Sequence, residues 1–437
     1  MISIRPLQRA GITPAMLVAA FALSQPTCAA EDPPSSAAAV PPSAALTLEE
    51  AIDQALMQAP QVVASAAALE ARQAVAPSAG RLPDPELMAA VENLPINTAD
   101  RFSLTRDFMT MRRIGLMQSF PSHKKRRLQS ERATEEIAVA QAQLRKTRFD
   151  IARAAADTWI AAAVAEESRA QLRQLRPETE LHATATRAAL ASGRASAAEA
   201  LAAQSVVARL DERIAALDQE VETRQAELAG WVGDAADRPL ASIPTERELG
   251  HSPDALLAAV PEHAPLAPFI AQLDAAKTDV ELARAEKRPD WSAELSYQER
   301  SSDFSDMVSL EFRVGLPIFA GQRQNPVIAE KLAMVRAQEA ERDAEIRMHT
   351  SEVRAVLAEW RGGRERLKRY AAELLPLARD RSHAAVSSYG AGRGDLRAAI
   401  EALSDEIDTR LEYVELEGSV TRAWIFLHFL HDSRTSP

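Results

Sequence analysis

Residues Trp291–Phe319, WSAELSYQERSSDFSDMVSLEFRVGLPIF, hold the pattern on which the fold turns. From 291 to 298, Trp291, Ala293, Leu295 and Tyr297 alternate with Ser292, Glu294, Ser296 and Gln298. After the polar loop Glu299–Asp306, the residues Val308, Leu310, Phe312, Val314, Leu316 and Ile318 alternate with Ser309, Glu311, Arg313 and Gly315. A period of two sends successive side chains to opposite sides of an extended strand, so each run has one apolar and one polar face. About ten residues is also the length a tilted strand needs to cross a bilayer. Taken alone, the pattern fits an ordinary hairpin packed on helices as well as a barrel segment.

Working outward, a weaker strand pair is expected at about 86–94 and 108–120, around the loop Pro95–Asp107. Helical sequence follows each pair for some sixty residues, from about Lys124 and from about Pro326. A straight helix of ~65 residues is ~100 Å long. Heptad spacing explains how such helices are held side by side. Val207, Leu210, Ile214, Leu217, Val221, Leu228 and Trp231 form one seam, and Leu367, Tyr370, Leu374 and Leu377 another.

The landmarks recur in order. Ala59-Pro60 matches Ala264-Pro265, Leu82-Pro83-Asp84 matches Arg288-Pro289-Asp290, and Ile114-Gly115-Leu116 matches Val314-Gly315-Leu316. The helix-interrupting Pro177 matches Pro376, and Gly193-Arg194 matches Gly392-Arg393. The period is too long for a solenoid, which leaves two halves of one architecture: repeats at 46–245 and 251–431. Helix starts are expected at Thr47-x-x-Glu50, a capping box, and at Ser252-Pro253.

Outside the repeats, residues 1–30 read as a secretory signal. Arg5 and Arg9 precede the short apolar core Ala15 to Leu23, and Cys28-Ala29-Ala30 supplies small residues before a cut ahead of Glu31. Cys28 is the alternative, as a lipidation site. Residues 31–45 form a disordered Pro/Ser/Ala linker, and 432–437 a C-terminal tail.

A net charge of −11 argues against a nucleic-acid partner. One cysteine makes no internal disulfide, and the eight histidines show no metal-site spacing. The sequence therefore offers no catalytic, cofactor or resident metal site. Gly390-Ala391-Gly392-Arg393-Gly394 follows a helix and fails the context of a nucleotide loop. The basic run His123 to Arg127 is expected in the aqueous or interfacial zone.

The order helix, strand, strand, very long helix, turn, long helix, all repeated, resembles the TolC family of trimeric outer-membrane efflux channels. Leu46-Thr47-Leu48-Glu49-Glu50-Ala51-Ile52 with Ala59-Pro60 is similar to the family's opening helix, and Leu190-x-x-Gly193 and Tyr389-x-x-Gly392 to its two hairpin tips. Asp306-Met307-Val308 through Leu316-Pro317-Ile318-Phe319, then Arg323-Gln324-Asn325-Pro326, most resembles the heavy-metal (CzcC-like) branch, as does Phe120-Pro121-Ser122-His123-Lys124-Lys125.

The resemblance implies a mainly α protein with a small β part. Its long antiparallel coiled-coil helices would form a periplasmic α-barrel. Four strands cannot close a barrel and an open edge is not tolerated in lipid, so strands must be pooled between copies. Three copies give the twelve-strand barrel the family implies. The expected function is the outer-membrane channel of a tripartite pump, exporting heavy-metal cations. Its expected partners are a periplasmic adaptor (membrane fusion) protein, an inner-membrane RND-type pump and outer-membrane lipid. A drug-efflux channel of the same family and a periplasmic coiled-coil adaptor are the alternatives.

By the same resemblance, the turns are the adaptor-facing gate, carried by Gly193, Arg194, Ser196, Glu199, Tyr389, Gly392, Arg393, Asp395 and Glu401. The family's acidic residue six positions after the glycine is matched by Glu199. The second half has Ala398 there, with Asp395 and Glu401 nearby. Glu311 and Arg313 are candidate barrel-lumen residues. Met109, Met111 and Met117 share one strand face. Alignment with Val314 and Leu316 turns that face to the lumen, where thioethers suit soft cations. A bulge, the plainer alternative, turns it to lipid.

Overall fold

The computed structural model describes residues 45–245 and 247–430, within one compact unit. The signal sequence, Cys28, all of the linker but Ala45, and the 432–437 tail lie outside the described residues.

Thr47 caps α1 (Leu48–Gln58) by accepting from the Glu50 amide. Only half of the expected box forms, because the Glu50 carboxylate turns to Arg238 at 2.6 and 3.1 Å instead. Pro60 opens α2 (Pro60–Val75), and β1 (Glu86–Glu92) and β2 (Met111–Phe120) follow. Then comes α3, His123–Ala191, whose 69 residues run on the order of 100 Å. It turns into α4 (Ala197–Val232). The second half runs through α5 (Pro253–Ala258), α6 (Ala267–Ala285), β3 (Trp291–Glu299), β4 (Met307–Val314), α7 (Gln324–Arg369), α8 (Leu375–Gly390) and α9 (Leu396–Phe429).

The four strands form a single antiparallel sheet in the order β1-β2-β3-β4. Pairing of β2 with β3, from Phe120↔Trp291 to Arg112↔Glu299, joins the two strand pairs, with the Phe120 and Trp291 rings stacked at 4.2 Å. Two strands are shorter than their alternation suggested, and β2 starts later. Asn93, at φ +54°, ends β1, and its side chain donates to the Met109 carbonyl. Thr110 bonds back to Asn93, so β2 begins only at Met111. At the other edge Gly315 donates to the Asp290 carbonyl, and Pro317 has no donor for a ladder. Leu316 and Ile318 therefore lie beyond β4.

The main core gathers Ile52 of α1, Phe149 and Trp159 of α3, Leu228 of α4, Trp360 of α7 and Phe426 of α9. Trp159 donates to the Leu46 carbonyl at 3.1 Å, and Trp360 to the Arg247 carbonyl at 3.0 Å. Each bond spans 113 residues, so the two halves repeat the same long-range contact. Two histidines far apart in sequence also meet here. His263 Nδ1 lies 3.0 Å from His349 Nε2, and Glu352 holds the other nitrogen of the His349 ring.

The prolines depart from expectation. Pro177 does not interrupt α3, which continues through it to Ala191. One missing donor is tolerated in a helix packed against neighbours along its length. Pro376 instead follows a π-helical turn, Tyr370–Leu374. A π turn inserts an extra residue and rotates every later side chain about the axis. The second seam consequently fails: Leu367 is buried, but Leu374 and Leu377 are exposed. The first seam holds, with Leu210, Ile214, Val221 and Leu228 buried.

The basic run at the start of α3 is also only partly solvated. Lys125 is 4% exposed, bonded to Asp290 at 2.7 Å and Glu286 at 3.0 Å. Burial pulls its ammonium downward, but the two carboxylates outweigh this and hold it above the ordinary lysine value.

Candidate functional site

Strand pairing sorts the sheet into two unlike faces. Leu87, Ile114, Leu116, Leu295, Val308, Leu310 and Phe312 share one face, all of them exposed. A contiguous apolar surface of this kind marks a membrane or partner contact.

The opposite face carries charge. Glu294 of β3, 2% exposed, accepts from Arg113 of β2 and, at 3.1 Å, from Arg313 of β4. Arg113 also reaches Glu92 of β1 at 2.7 Å, and Arg313 reaches Glu311 at 2.7 Å. The ladder Glu92–Arg113–Glu294–Arg313–Glu311 thus crosses all four strands. Three carboxylates against two guanidiniums leave it one negative charge. Gly115 gives Glu294 its seat, because a Cβ there would meet Glu294 Oε1 and Ser296 Cβ at 3.0 Å.

Both candidate lumen residues, Glu311 and Arg313, belong to this ladder. Its central carboxylate and both first-half members escaped the sequence reading. Alternation placed Glu294 on the polar face, but a partner 181 residues away is invisible without the β2–β3 register. That register also corrects the methionines. The pairing of β2 with both neighbours runs without a bulge. Met111 and Met117 therefore share the face of Arg113, not that of Ile114, while Met109 lies outside β2.

The two helical turns are built alike. Gly193 and Gly392 have φ +73° and +70°, a region open to glycine and costly for other residues. Their amides donate to Leu190 and Tyr389 at 2.9 Å, and the next amides to Ala189 and Ser388. Ser196 then caps α4 in a complete capping box: it accepts from the Glu199 amide, and Glu199 accepts from the Ser196 amide at 2.6 Å. The Ser196 amide and hydroxyl hold the Glu199 carboxyl below its ordinary value.

Asp395 caps α9 through the Arg397 amide, and Glu401 pairs with Arg397 at 3.0 Å. Arg194 bonds Ser192 within its own turn. Arg393 lies exposed in the second turn. Tyr389 borders a small cavity of about 40 Å³ between the hairpins, with Thr186, Val386 and Leu396. Eight of the nine candidate residues thus fall at the two turns and in the first turns of the helices beyond them, and Tyr389 closes the helix that leads into the second turn. Among the described residues, no cluster of histidine, cysteine and acidic side chains is arranged to hold a metal ion, and no helix is long and apolar enough to cross a membrane.

Residues 259–431 match the family model described as outer membrane efflux protein. Solved structures extend the likeness over most of the chain. It aligns with CusC at a TM-score of 0.73 and 17% identity, covering 87% of this chain and 90% of that one. VceC of Vibrio cholerae, an outer membrane protein, gives 0.73 and 18%, covering 88% and 95%. The CmeC outer membrane channel of Campylobacter jejuni gives 0.73 and 12%, covering 89% and 85%. The chain has the fold of an outer-membrane efflux channel. None of the curated proteins matches it in sequence. The family that residues 259–431 match is one of transport channels and not of enzymes.

Proposed function

We propose that this chain is the outer-membrane channel of a tripartite efflux pump, a TolC-type protein along its whole length and closest to the heavy-metal branch. One observation carries the reading: a four-stranded sheet with an exposed apolar face, a charged opposite face and two unpaired edges. Such edges are costly in lipid, so three copies pooling 3 × 4 = 12 strands satisfy β1 and β4 and leave the charged ladder inside. The matching Trp159 and Trp360 contacts support the duplicated organisation, with repeats at 46–245 and 251–431. A periplasmic adaptor would share the long helices but not the two strand pairs.

On this reading the helices reach into the periplasm. The turns around Gly193 and Gly392 then meet an adaptor, which couples the channel to an inner-membrane RND-type pump. Arg194, Ser196, Glu199, Tyr389, Arg393, Asp395 and Glu401 form that gate and docking surface. Heavy-metal cations are the proposed cargo, in keeping with the motifs of the CzcC-like branch and the net negative ladder.

Membrane fractionation with a heat-modifiable trimer assay tests the assembly. The signal-cleaved protein is expected in outer membranes as a trimer, and its recovery as a soluble periplasmic monomer would overturn the reading. Single cysteines at Ser196 and Asp395 should crosslink to the adaptor, and one at Ser302 should be labelled from outside the cell. Labelling at Ser196 with Ser302 protected would reverse the orientation. Loss of the gene product should sensitise cells to metals. Sensitivity to dyes or antibiotics with metal tolerance unchanged would assign drug efflux instead.

A further inference from the structure

Two histidines 86 residues apart share one hydrogen bond inside the main core. His263 stands between two tight turns, its amide donating to the Val260 carbonyl at 3.2 Å and its carbonyl accepting from Leu266 at 3.0 Å. This holds its ring against α7, where Nδ1 meets His349 Nε2 at 3.0 Å. The two rings cross edge to face at 88°, and the Phe426 ring of α9 packs 6.3 Å from that of His349. His263 is 0% exposed and His349 6%, so bulk water hardly reaches either.

Geometry limits how many protons this pair can carry. Glu352, 3.2 Å from His349 Nδ1, accepts the hydrogen there, so His349 Nε2 accepts from His263 Nδ1. One added proton leaves a single hydrogen between the rings, with the Glu352 carboxylate to balance the charge. A second would set N–H against N–H across 3.0 Å and bury two like charges. The charged neighbours do not relieve this. Arg153 of α3 holds Glu352 at 3.0 Å and also faces Asp157, which feels Arg422 of α9 as well. Glu262, next to His263 in the chain, is exposed.

We infer that Glu352, His349 and His263 form an acid-released latch, which holds the segment Val260–Leu266 on α7 while at least one of the two rings is neutral. The opened segment and its partner take two protons, and the latched pair takes at most one. Free histidine titrates near about pH 6.5, so the latch is complete well above that value and weakens as pH falls through it. Well below it, opening grows about tenfold with each pH unit. The first half has no such device. Counted from the matched Ala59 and Ala264, and from Trp159 and Trp360, it has Gln58 and Arg148 at the corresponding positions. Neither side chain titrates between about pH 5 and 8. Acid therefore loosens the second half and spares the first. Nothing in the latch depends on the channel reading.

Hydrogen exchange in the full-length protein in detergent tests the latch. Protection of the His263 and Leu266 amides, corrected for intrinsic rates, should fall about tenfold from about pH 6 to pH 5. The Val62 and Val63 amides, which bond the Ala59 carbonyl in the first half, should keep theirs. Asparagine can offer an amide hydrogen where His263 offers Nδ1 but takes up no proton. His263→Asn should therefore stay latched at neutral pH and lose the acid step. Nitrogen-15 spectra of labelled histidines in the wild-type protein give a reading that needs no variant. While the segment stays protected, His263 and His349 together should take up one proton, and the second only as it opens. Unchanged protection down to about pH 5, or equal loss in both halves, would overturn the latch. So would a full acid step in folded His263→Asn, or two protonated rings in a segment still protected.

Discussion

The first and second helical hairpins reach the same turn by different routes. At Gly193 and Gly392 the backbone angles and the hydrogen bonds agree closely. The surroundings do not. The first turn is followed by a complete capping box, the second by Asp395 alone. The first tolerates Ala195, whereas Gly394 in the second has the Tyr389 nitrogen 2.9 Å from where a Cβ would lie. Leading into the turns, α3 absorbs its proline without a break, but the second hairpin gives up regular winding over Tyr370–Leu374. A turn's geometry follows from one residue needing positive φ, while its rigidity depends on caps and helices that the two halves supply unequally.

The largest expected effect lies at the prolines. Pro177 removes a donor from the interior of α3, so Pro177→Ala should stabilise the protein by up to about 3 kcal/mol. The same change at Pro376 should shift stability by less than about 1 kcal/mol, because the π turn already diverts the bonds around it. Thermal unfolding of the two purified variants measures the difference, and equal shifts would erase this contrast between the hairpins.

At the turns themselves the halves should agree. Gly193→Ala and Gly392→Ala each force a left-handed conformation on an L side chain and should cost about 1–2 kcal/mol apiece. Gly394→Ala should be destabilising, though the corresponding position in the first half is already alanine. Denaturant titration of the three variants checks both statements.

The caps bring a smaller asymmetry and a pH dependence. Ser196→Ala should cost about 1 kcal/mol, with a weaker effect for Asp395→Asn, which keeps a capping side chain. Folding holds the Glu199 carboxyl below its ordinary value of 4.5 through the Ser196 amide and hydroxyl. A depressed folded value means that the stabilisation is complete above pH 4.5 and lost as pH falls through the folded value. Protection of the Ser196 amide from hydrogen exchange, corrected for intrinsic rates, should therefore drop in acid in wild type but not in Glu199→Gln. The smallest effect belongs to Arg397→Ala, which breaks an exposed pair with Glu401 and should cost under about 0.5 kcal/mol. A larger loss would give the second turn a stabilising ion pair after all.

Sequence by itself determined the elements and their faces. Strict alternation at 291–298 and 308–314 identified two strands and their apolar sides, because side-chain direction in a strand is a matter of counting. Gly193 and Gly392 marked the turns through a local backbone requirement, and unbroken helical sequence announced the long α3 and α7. Tertiary structure alone decided which polar residues meet. Glu294 finds Arg113 only when two strand pairs nearly two hundred residues apart join edge to edge, and a shift of one residue would have separated them. Lys125 is buried because Asp290 and Glu286 are brought to it from the second half. Leu374 and Leu377 fit a heptad on paper but face outward, since one π turn changes the phase of everything after it. Local rules fix where a side chain points along its own element, whereas charge pairing and seam phase depend on register between elements, which local sequence does not encode.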